Sequence, residues 1–176
     1  MKIHVVSANR LSSELVSAWS QIQQSDLTLR NPFFRPEFTQ AVSAERDNVD
    51  VAVWEHEGQP VGFLPFYRSH ANIGRPVGSL INICQGSVAR DDIAWSPQEV
   101  VRAAGLRGWQ FKNLMATQTA FAPYQYVVVD SPYFDFSQGF EHYHKSRGKS
   151  AEKAITRILQ KDRMAQDLSH ILVDNR

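Results

Sequence analysis

The side chains of this sequence that could exchange a proton near neutral pH include three in one short string. Glu55, His56 and Glu57 are consecutive, and a carboxylate or an imidazole is the usual general base that deprotonates a nucleophile. Gly58 follows them, and a glycine after a charged string is typical of a turn. Because a charged turn is simply solvated in most proteins, two interpretations stay open: a catalytic base and an exposed hairpin tip.

Two histidines and a cysteine are further candidates. His142 and His144 fall in a predicted helix over residues 137–147, where side chains two positions apart point to different faces and do not pair as metal ligands. Cys84 is the single cysteine, and its apolar neighbours predict a small buried residue rather than a nucleophile. One cysteine excludes an intramolecular disulfide and a cysteine metal cluster. We therefore expect no metal site and a reducing, cytoplasmic location.

Two glycine-containing strings could hold a phosphate group. Gly74, Gly78 and Gly86 are close together, but their spacing matches neither GxxxxGK[ST] nor GxGxxG. Gly148-Lys149-Ser150 ends like the first motif, yet Tyr143 stands where its first glycine belongs. The sequence therefore predicts no phosphate-binding loop.

Composition limits the class of protein. The chain has 176 residues, of which 43% are hydrophobic and 21% charged, so we expect a soluble globular protein with one domain or one domain plus an appendage. A net charge of +1 gives no general attraction to nucleic acid. No apolar run approaches the roughly 20 residues that span a bilayer, so no membrane span is expected.

One hairpin at residues 51–68 is the centre of the predicted fold. Hydrophobic residues alternate on both sides of Gly58, and both halves are rich in β-branched and aromatic residues, which predicts two antiparallel strands. Glycine lets the turn adopt a positive φ. Proline cannot donate a ladder hydrogen bond, so Pro60 is expected to begin the second strand and Pro65 to lie at an edge or a bulge.

Elements before the hairpin have clear boundaries. A strand is predicted over residues 2–6, followed by a helix with Ser12 or Ser13 as its N-cap. Pro36 can occupy the first position of a further short helix. Phe33 and Phe34, just ahead of it, either belong to the core or form the wall of a ligand cleft.

Elements after the hairpin include one strongly marked helix. Ser96-Pro97-Gln98-Glu99 forms a predicted capping box, and Gly105 is expected to end that helix. Strands are predicted at residues 109–116 and 126–130, the second buried on both faces because it holds three consecutive valines.

The end of the chain predicts a helix with a basic face at residues 151–169. Such a helix either binds nucleic acid or lipid, or is a solvated face or an interdomain strut. A strand-like run at residues 171–173 has nothing after it to pair with, so we expect the sequence to be cut from a longer one. The basic residues are Lys149, Lys153, Arg157, Lys161 and Arg163.

Several short blocks of this sequence occur in a particular order, and each block is mostly structural. The blocks are Asn31-Pro32-Phe33-Phe34-x-Pro36-Glu37-Phe38, Gly58-x-Pro60-Val61-Gly62-Phe63-Leu64-Pro65, Gly105-Leu106-x-x-Trp109, Ala120-Phe121-x-Pro123-Tyr124, Ser131-Pro132-Tyr133 and Gly139-Phe140-x-x-Tyr143. Their order resembles the N-terminal region of the CelD-like (BioF2-like) acetyltransferases, which belong to the GNAT superfamily and are related to the FemAB-type peptidyltransferases. The match runs from about Phe33 to the basic helix.

The resemblance implies an α/β (α+β) fold with a mixed, largely antiparallel GNAT-like sheet flanked by helices. It implies two modules: residues 1–148 would be the first, and residues 149–176 would be the connecting helix and the start of a second. Acetyl-CoA or another acyl-CoA would bind the second module, and the acyl group would pass to a small-molecule, glycan or peptide acceptor. The superfamily pyrophosphate loop, Gln/Arg-x-x-Gly-x-Gly/Ala, is not matched by residues 145–150, so no catalytic or cofactor-binding residue is assigned.

Two functions from different classes follow. The first is the non-catalytic, acceptor-cleft half of an acyl-CoA N-acyltransferase, a family often associated with polysaccharide or cellulose biosynthesis, in which this part alone would be inactive. The second is a non-catalytic module whose hairpin and basic helix bind a protein or a partner in polysaccharide synthesis. A downstream strand followed by the pyrophosphate loop would favour the first.

Overall fold

The computed structural model of this chain describes residues 1–130, 135–146 and Lys153. The chain divides into two compact units, residues 1–126 and residues 127–176. The predicted module boundary between residues 148 and 149 lies outside the described residues and stays a prediction. The same holds for the basic helix, apart from Lys153, and for the strand-like run at residues 171–173.

The first unit contains an open, mixed sheet. Its strand order is β1-β2-β3-β4-β6, and β5 pairs with β3 on the same edge as β4. Every neighbouring pair is antiparallel except β4 and β6, which are parallel. The predicted mixed, largely antiparallel sheet is therefore confirmed. Within the described residues the strands are β1 (Lys2–Ser7), β2 (Val49–His56), β3 (Gln59–Arg68), β4 (Ile73–Pro76), β5 (Val88–Ala89) and β6 (Gly108–Trp109).

Local capping sets the helix starts that the sequence predicts. The Ser12 hydroxyl accepts a hydrogen bond from the backbone N–H of Leu15 at 3.3 Å, and the Ser96 hydroxyl accepts one from Glu99 at 3.4 Å. Each bond satisfies a donor that the first helical turn leaves unpaired. The described helices are α1 (Ser13–Ser25), α2 (Pro36–Ala44), α3 (Pro97–Ala103) and, in the second unit, α4 (Phe140–Ser146).

The sheet is buried on both faces. Val51 and Val53 of β2 belong to one hydrophobic cluster with Trp19 of α1. Trp54, the next residue along β2, belongs to a second cluster with Val100 of α3. Because successive strand residues point to opposite faces, the sheet needs helices on both sides, as the sequence predicts.

The central hairpin forms as predicted, with a turn at Glu57 and Gly58. Both residues have positive φ, 51° and 78°, as a two-residue hairpin turn with the twist of the strands requires. The register shifts between Trp54 and Glu55, near Pro60 rather than at Pro65. Pro65 instead lies in a stretch of β3 that neither β4 nor β5 pairs with, so its missing N–H disturbs neither of these ladders.

Two strand predictions are wrong. The strand predicted at residues 109–116 is reduced to Gly108–Trp109 and one isolated bridge between Gln85 and Leu114. The valines of residues 126–130 form no strand and are exposed rather than buried on both faces. No helix among the described residues has the length and apolar character needed to cross a membrane.

Candidate functional site

The parallel pairing of β4 with β6 creates a cleft where these two strands end. We call it the β4–β6 cleft; its volume is about 340 Å³. Residues from β3 and β4 and from the segments that follow β4 and β6 form its walls. They are Tyr67, Arg75, Pro76, Ser79, Gln85, Gln110, Lys112 and Asn113. The carboxyl ends of parallel strands are a frequent place for ligands in open sheets, because loops diverge there.

Gln85 forms a rigid part of the cleft. It is 4% exposed, and its Oε1 accepts hydrogen bonds from the backbone N–H groups of Lys112 and Asn113 at 2.9 and 3.1 Å. Its Nε2 donates to the carbonyl of Asn82 at 3.0 Å. Since the buried amide is satisfied at both ends, it holds the backbone on both sides of the cleft in a fixed position.

Asn82 fixes the segment that follows β4. Its buried Nδ2 donates to the carbonyl of Val77 at 2.9 Å, and its Oδ1 accepts from the N–H of Cys84 at 3.0 Å. The side chain of Asn113 donates to the carbonyl of Asn82 at 3.3 Å. The two halves of the cleft are thus tied together by amide side chains.

The charged groups of the cleft are cations. Arg75 and Lys112 line it, and no Asp, Glu or His does. Within the described part of the chain, neither cation has a carboxylate within 4.0 Å, whereas Arg35, Arg68 and Arg90 each have one. The cleft therefore has a positive potential that no neighbouring carboxylate neutralises.

Tyr67 lines the same cleft as these cations. Burial opposes its ionisation, but polar contacts with Arg75 and Ser79, together with the charges of Arg75 and Arg46, lower the pKa of the phenol. The guanidinium carbon of Arg46 is 5.1 Å from the centroid of the Tyr67 ring, within the range of a cation–π contact. The environment of Tyr67 thus favours negative charge.

The predicted base candidates lie elsewhere. The Glu55 carboxylate is 3.9 Å from Lys2 Nζ and 3.7 Å from His4 Nδ1 on the neighbouring strand β1. His56 is exposed, with its Nε2 4.0 Å from the carboxylate of Glu57. None of these three candidates lines the β4–β6 cleft. His56, Glu57 and Gly58 at the hairpin tip are exposed, and a catalytic role for Glu55, His56 or Glu57 stays a prediction.

The remaining candidates are His142, His144 and Cys84. His142 is exposed on α4, and the side chain of His144 is outside the described part. Burial raises the pKa of the Cys84 thiol, and Asn31 Nδ2 lies 3.2 Å from its sulfur as a hydrogen-bond donor. A thiol with a raised pKa is a weak nucleophile. Among the described residues no group of three His, Cys, Asp or Glu side chains is placed to hold a metal ion.

The three glycines of the string that fails as a phosphate loop lie in different local structures. Gly74 belongs to β4, Gly78 is the N-cap of a 3₁₀ helix (Ser79–Ile81), and Gly86 leads into Ser87. No described α-helix starts directly after any of these glycines. Gly148-Lys149-Ser150 and the predicted departure from the pyrophosphate loop at residues 145–150 involve residues 147–150, which lie outside the described residues.

Phe34 belongs to the core, whereas Phe33 is half-buried and is a member of neither hydrophobic cluster. Phe34 is buried in the cluster that contains Trp19, whose indole N–H donates to the Phe34 carbonyl at 2.8 Å. Phe33 packs edge-to-face on Phe38 with ring centroids 5.0 Å apart. Neither residue lines the β4–β6 cleft.

An aromatic groove of about 260 Å³ lies beside α3. Phe121 packs against Trp109 with ring centroids 5.0 Å apart, and Tyr124 is exposed at the groove. The residues that line this groove are Pro97, Gln98, Val101, Gly108, Trp109, Phe111, Phe121 and Tyr124. Its apolar walls offer contact area but few groups for chemistry.

The sequence alone does not indicate the β4–β6 cleft. Its pattern places Tyr67 in the hairpin, Arg75 in a glycine-rich string that fails as a phosphate loop, and Lys112 in a strand that is not formed. Arg75 and Lys112 have no acidic residue next to them, but the same is true of Arg30 and Arg107, so no local signal distinguishes the two cations of the cleft.

No protein-family model, curated protein or solved structure matches this chain.

Proposed function

We propose that this chain is the acceptor-binding, non-catalytic half of a cytoplasmic GNAT-family acyl-CoA N-acyltransferase. The mixed, largely antiparallel sheet with helices on both faces supports the proposal, because it is the architecture that the resemblance implies. A likeness of fold is an argument by analogy, and function depends on the site.

The observation that carries the proposal is the composition of the β4–β6 cleft. It is a small, polar cavity at the end of the parallel pair, and its fixed amide Gln85 and cations Arg75 and Lys112 can orient a polar ligand. Deprotonating an amine needs a base, and no carboxylate or imidazole lines the cleft. The Tyr67 phenol, whose pKa is lowered, is a lining group that could accept a proton. Fixed amides and cations suit a site that binds an acceptor, and we assign the acyl transfer to another module.

The reaction in the complete enzyme would be direct attack by an amine. The acceptor nitrogen forms a bond with the thioester carbonyl carbon, the bond to sulfur breaks, a base takes the proton of the amine, and CoA leaves as the thiol. Backbone N–H groups would stabilise the developing oxyanion. The acyl-CoA would bind in a second module of the same protein, and the product would enter polysaccharide or cellulose synthesis.

A thermal-shift titration of residues 1–176 tests this division of labour. A ligand at about 100 times its Kd adds about 2.7 kcal/mol to the stability of the native state, which raises the midpoint by about 5–10 °C. We expect no saturable shift with acetyl-CoA. A saturable shift with acetyl-CoA would place the acyl donor in this chain and overturn the proposal.

A second measurement tests the acyl transfer itself. We expect a longer protein that contains this chain and a pyrophosphate loop to release CoA thiol from acetyl-CoA only when an acceptor amine is present. If such a protein releases no thiol with any amine of a broad panel, the acyltransferase proposal is wrong.

The alternative, a module that binds a macromolecular partner, is favoured by the aromatic groove beside α3. Trp109, Phe111 and Tyr124 line the groove, and Tyr124 is exposed there. Aromatic residues are enriched in protein interfaces. A complete protein without a strand followed by Gln/Arg-x-x-Gly-x-Gly/Ala would favour this function over acyl transfer.

A further inference from the structure

We infer that the β4–β6 cleft binds the anionic group, a carboxylate or a phosphate, of a small-molecule ligand between Arg75 and Lys112. Both cations line a cavity of about 340 Å³ that contains no carboxylate. A cavity of this size is within the range of small-ligand pockets. An arginine and a lysine that converge on one cavity are the usual means of holding an oxyanion.

The ion pairs of the described chain support this assignment. Arg35 pairs with Glu37, Arg68 with Asp50 and Arg90 with Asp92. Three arginines of the same unit thus have carboxylate partners. Arg75 and Lys112 have no such partner among the described residues, a property that they share with Arg10, Arg30, Arg46, Arg102 and Arg107. They differ from these five arginines because they line the cavity. An anionic ligand would supply the missing partner for both.

Neutral residues with polar side chains line the same cavity as the two cations. They are Tyr67, Ser79 and Asn113, and Asn113 Nδ2 already donates one hydrogen bond to the carbonyl of Asn82. Hydroxyl and amide groups donate hydrogen bonds to an oxyanion and add direction to the charge attraction. Gln85 binds the backbone of Lys112 and Asn113, so part of this donor set is fixed before a ligand arrives.

The fold brings the cations together from distant parts of the sequence. Arg75 belongs to β4, and Lys112 follows β6. The register Gly74↔Trp109 sets their relative position, and the N–H of Gln110 continues the ladder by donating to the carbonyl of Gly74 at 2.9 Å. The arrangement is thus a consequence of the parallel pair and not of a surface cluster of neighbours in sequence.

One part of the inference rests on the proposed function, namely that the bound anionic group belongs to the acceptor. In that case the acceptor is an amine that carries a carboxylate or a phosphate, such as an amino acid or a phosphorylated amino sugar. Anion binding by the cleft is a separate claim and is measured without acyl transfer.

The test is an NMR titration of ¹⁵N-labelled residues 1–176 at constant ionic strength. The probes are inorganic phosphate, glucosamine 6-phosphate and glutamate, with glucosamine and glutamine matching the two organic probes without the extra anionic group. We expect saturable shifts of the Gln85 side-chain amide and of the Lys112 and Asn113 backbone amides with at least one anionic probe. If the probes that carry a phosphate have the lower Kd, the bound group is a phosphate. If glutamate has the lower Kd, the bound group is a carboxylate.

Variants separate a built site from general charge attraction. Arg75→Gln and Lys112→Gln should each raise the Kd of the bound probe by about tenfold while the remaining spectrum stays that of the folded protein. The matched control is Arg30→Gln, which removes an exposed arginine that lines neither cavity and should leave the Kd unchanged.

The outcomes distinguish the two proposals. If none of the three anionic probes shifts these amides, or if Arg75→Gln and Arg30→Gln have equal effects, the anion site is wrong and neutral amines remain to be tested as acceptors. If acetyl-CoA binds and Arg75→Gln weakens it, the anion site holds but the assignment of the cleft to the acceptor is wrong.

Discussion

The indole ring of Trp54 covers Gly62 on the neighbouring strand. The two residues are paired in the register of β2 and β3, and a methyl group built at position 62 would overlap the indole Cε2, Cζ2 and Nε1 atoms. Trp54 is completely buried and cannot swing away, because Trp95 packs on it with ring centroids 4.7 Å apart. Glycine is therefore required here by space rather than by backbone conformation.

Replacing this glycine by alanine should destabilise the protein through overpacking. We expect Gly62→Ala to lower the free energy of unfolding by about 1–3 kcal/mol, which lowers the melting midpoint by about 2–12 °C. Thermal unfolding followed by circular dichroism measures this. Gly108→Ala is the control, since the nearest atom to its added methyl group is 3.7 Å away. Equal midpoints for the two variants would contradict the account of Trp54.

Replacing Gln118 by glutamate should cost stability in a pH-dependent way. Gln118 Oε1 accepts from the N–H and hydroxyl of Ser87 at 2.8 and 3.0 Å, and its Nε2 donates to the Ser87 carbonyl at 3.1 Å. A carboxylate cannot donate, so we expect Gln118→Glu to lose about 1–3 kcal/mol near neutral pH. Urea unfolding of the variant and of the unchanged protein gives this difference.

The loss in Gln118→Glu should shrink in acid. The introduced carboxyl group, once protonated, can again donate to the Ser87 carbonyl, so the folded state raises its pKa above the unfolded value of about 4.3. Stability is therefore retained below that value and falls as the pH rises through the folded pKa. A control, Gln21→Glu on the exposed side of α1, should change stability by less than about 0.5 kcal/mol. A loss in Gln118→Glu that does not depend on pH would show that shape, not donation, matters.

Tyr67 should ionise at a lower pH than an ordinary tyrosine, because Arg75 and Ser79 contact it and the charges of Arg75 and Arg46 favour the phenolate. A folded pKa below the unfolded value of about 10 makes stability rise with pH between the two values. Absorbance titration near 295 nm should show one of the five tyrosines titrating early. In Arg75→Gln that early step should move toward the others; an unchanged step would assign the shift to another residue.

Cys84 should react slowly with thiol reagents. Burial raises the pKa of its thiol, and the thiolate is the reactive form. We expect reaction with an aromatic disulfide reagent near neutral pH to be slower than that of free glutathione, and to reach the glutathione rate in urea. A folded protein that reacts faster than glutathione would mean that the thiolate is stabilised and that Cys84 is a candidate nucleophile after all.

The valines that follow the first unit should promote self-association. Val127, Val128 and Val129 are 70%, 73% and 77% exposed, and a run of exposed β-branched residues outside any described strand offers an edge for pairing with another copy. We expect light scattering to rise with protein concentration and Val128→Lys to suppress the rise. Leu27→Lys is the control, because Leu27 is 69% exposed but lies outside the run. A clean monomer at high concentration would contradict this prediction.

Local signals make the hairpin and the helix starts predictable. The turn at Glu57 and Gly58 and the caps Ser12 and Ser96 each depend on residues at most three positions away. Such interactions can be inferred from spacing alone. The burial of β2 is also predictable, because this strand is buried on both sides and its sequence is apolar on both sides.

The extent of β6, the conformation of residues 127–129 and the β4–β6 cleft depend on long-range pairing, so local sequence does not predict them. The strand expected at residues 109–116 ends at Trp109, because Gln85 takes the N–H groups of Lys112 and Asn113 that a ladder would use. The valines at residues 127–129 have strand propensity but no described partner strand, and propensity alone does not supply one. The β4–β6 cleft exists only because Gly74 pairs with Trp109, a relationship that no local spacing reveals.

The shortness of the parallel pair gives the two walls of the β4–β6 cleft different resistance to opening. β3 is held along its length by β2, whereas β4 and β6 share only the pairs Ile73↔Gly108 and Gly74↔Trp109. Segments with few ladder bonds open locally at a lower free energy than the whole fold. Amide hydrogens around Trp109 should therefore exchange with solvent before those of the hairpin. The hairpin side of the cleft is therefore protected by its ladder, whereas the side that follows β6 keeps its shape through the hydrogen bonds from Lys112 and Asn113 to Gln85.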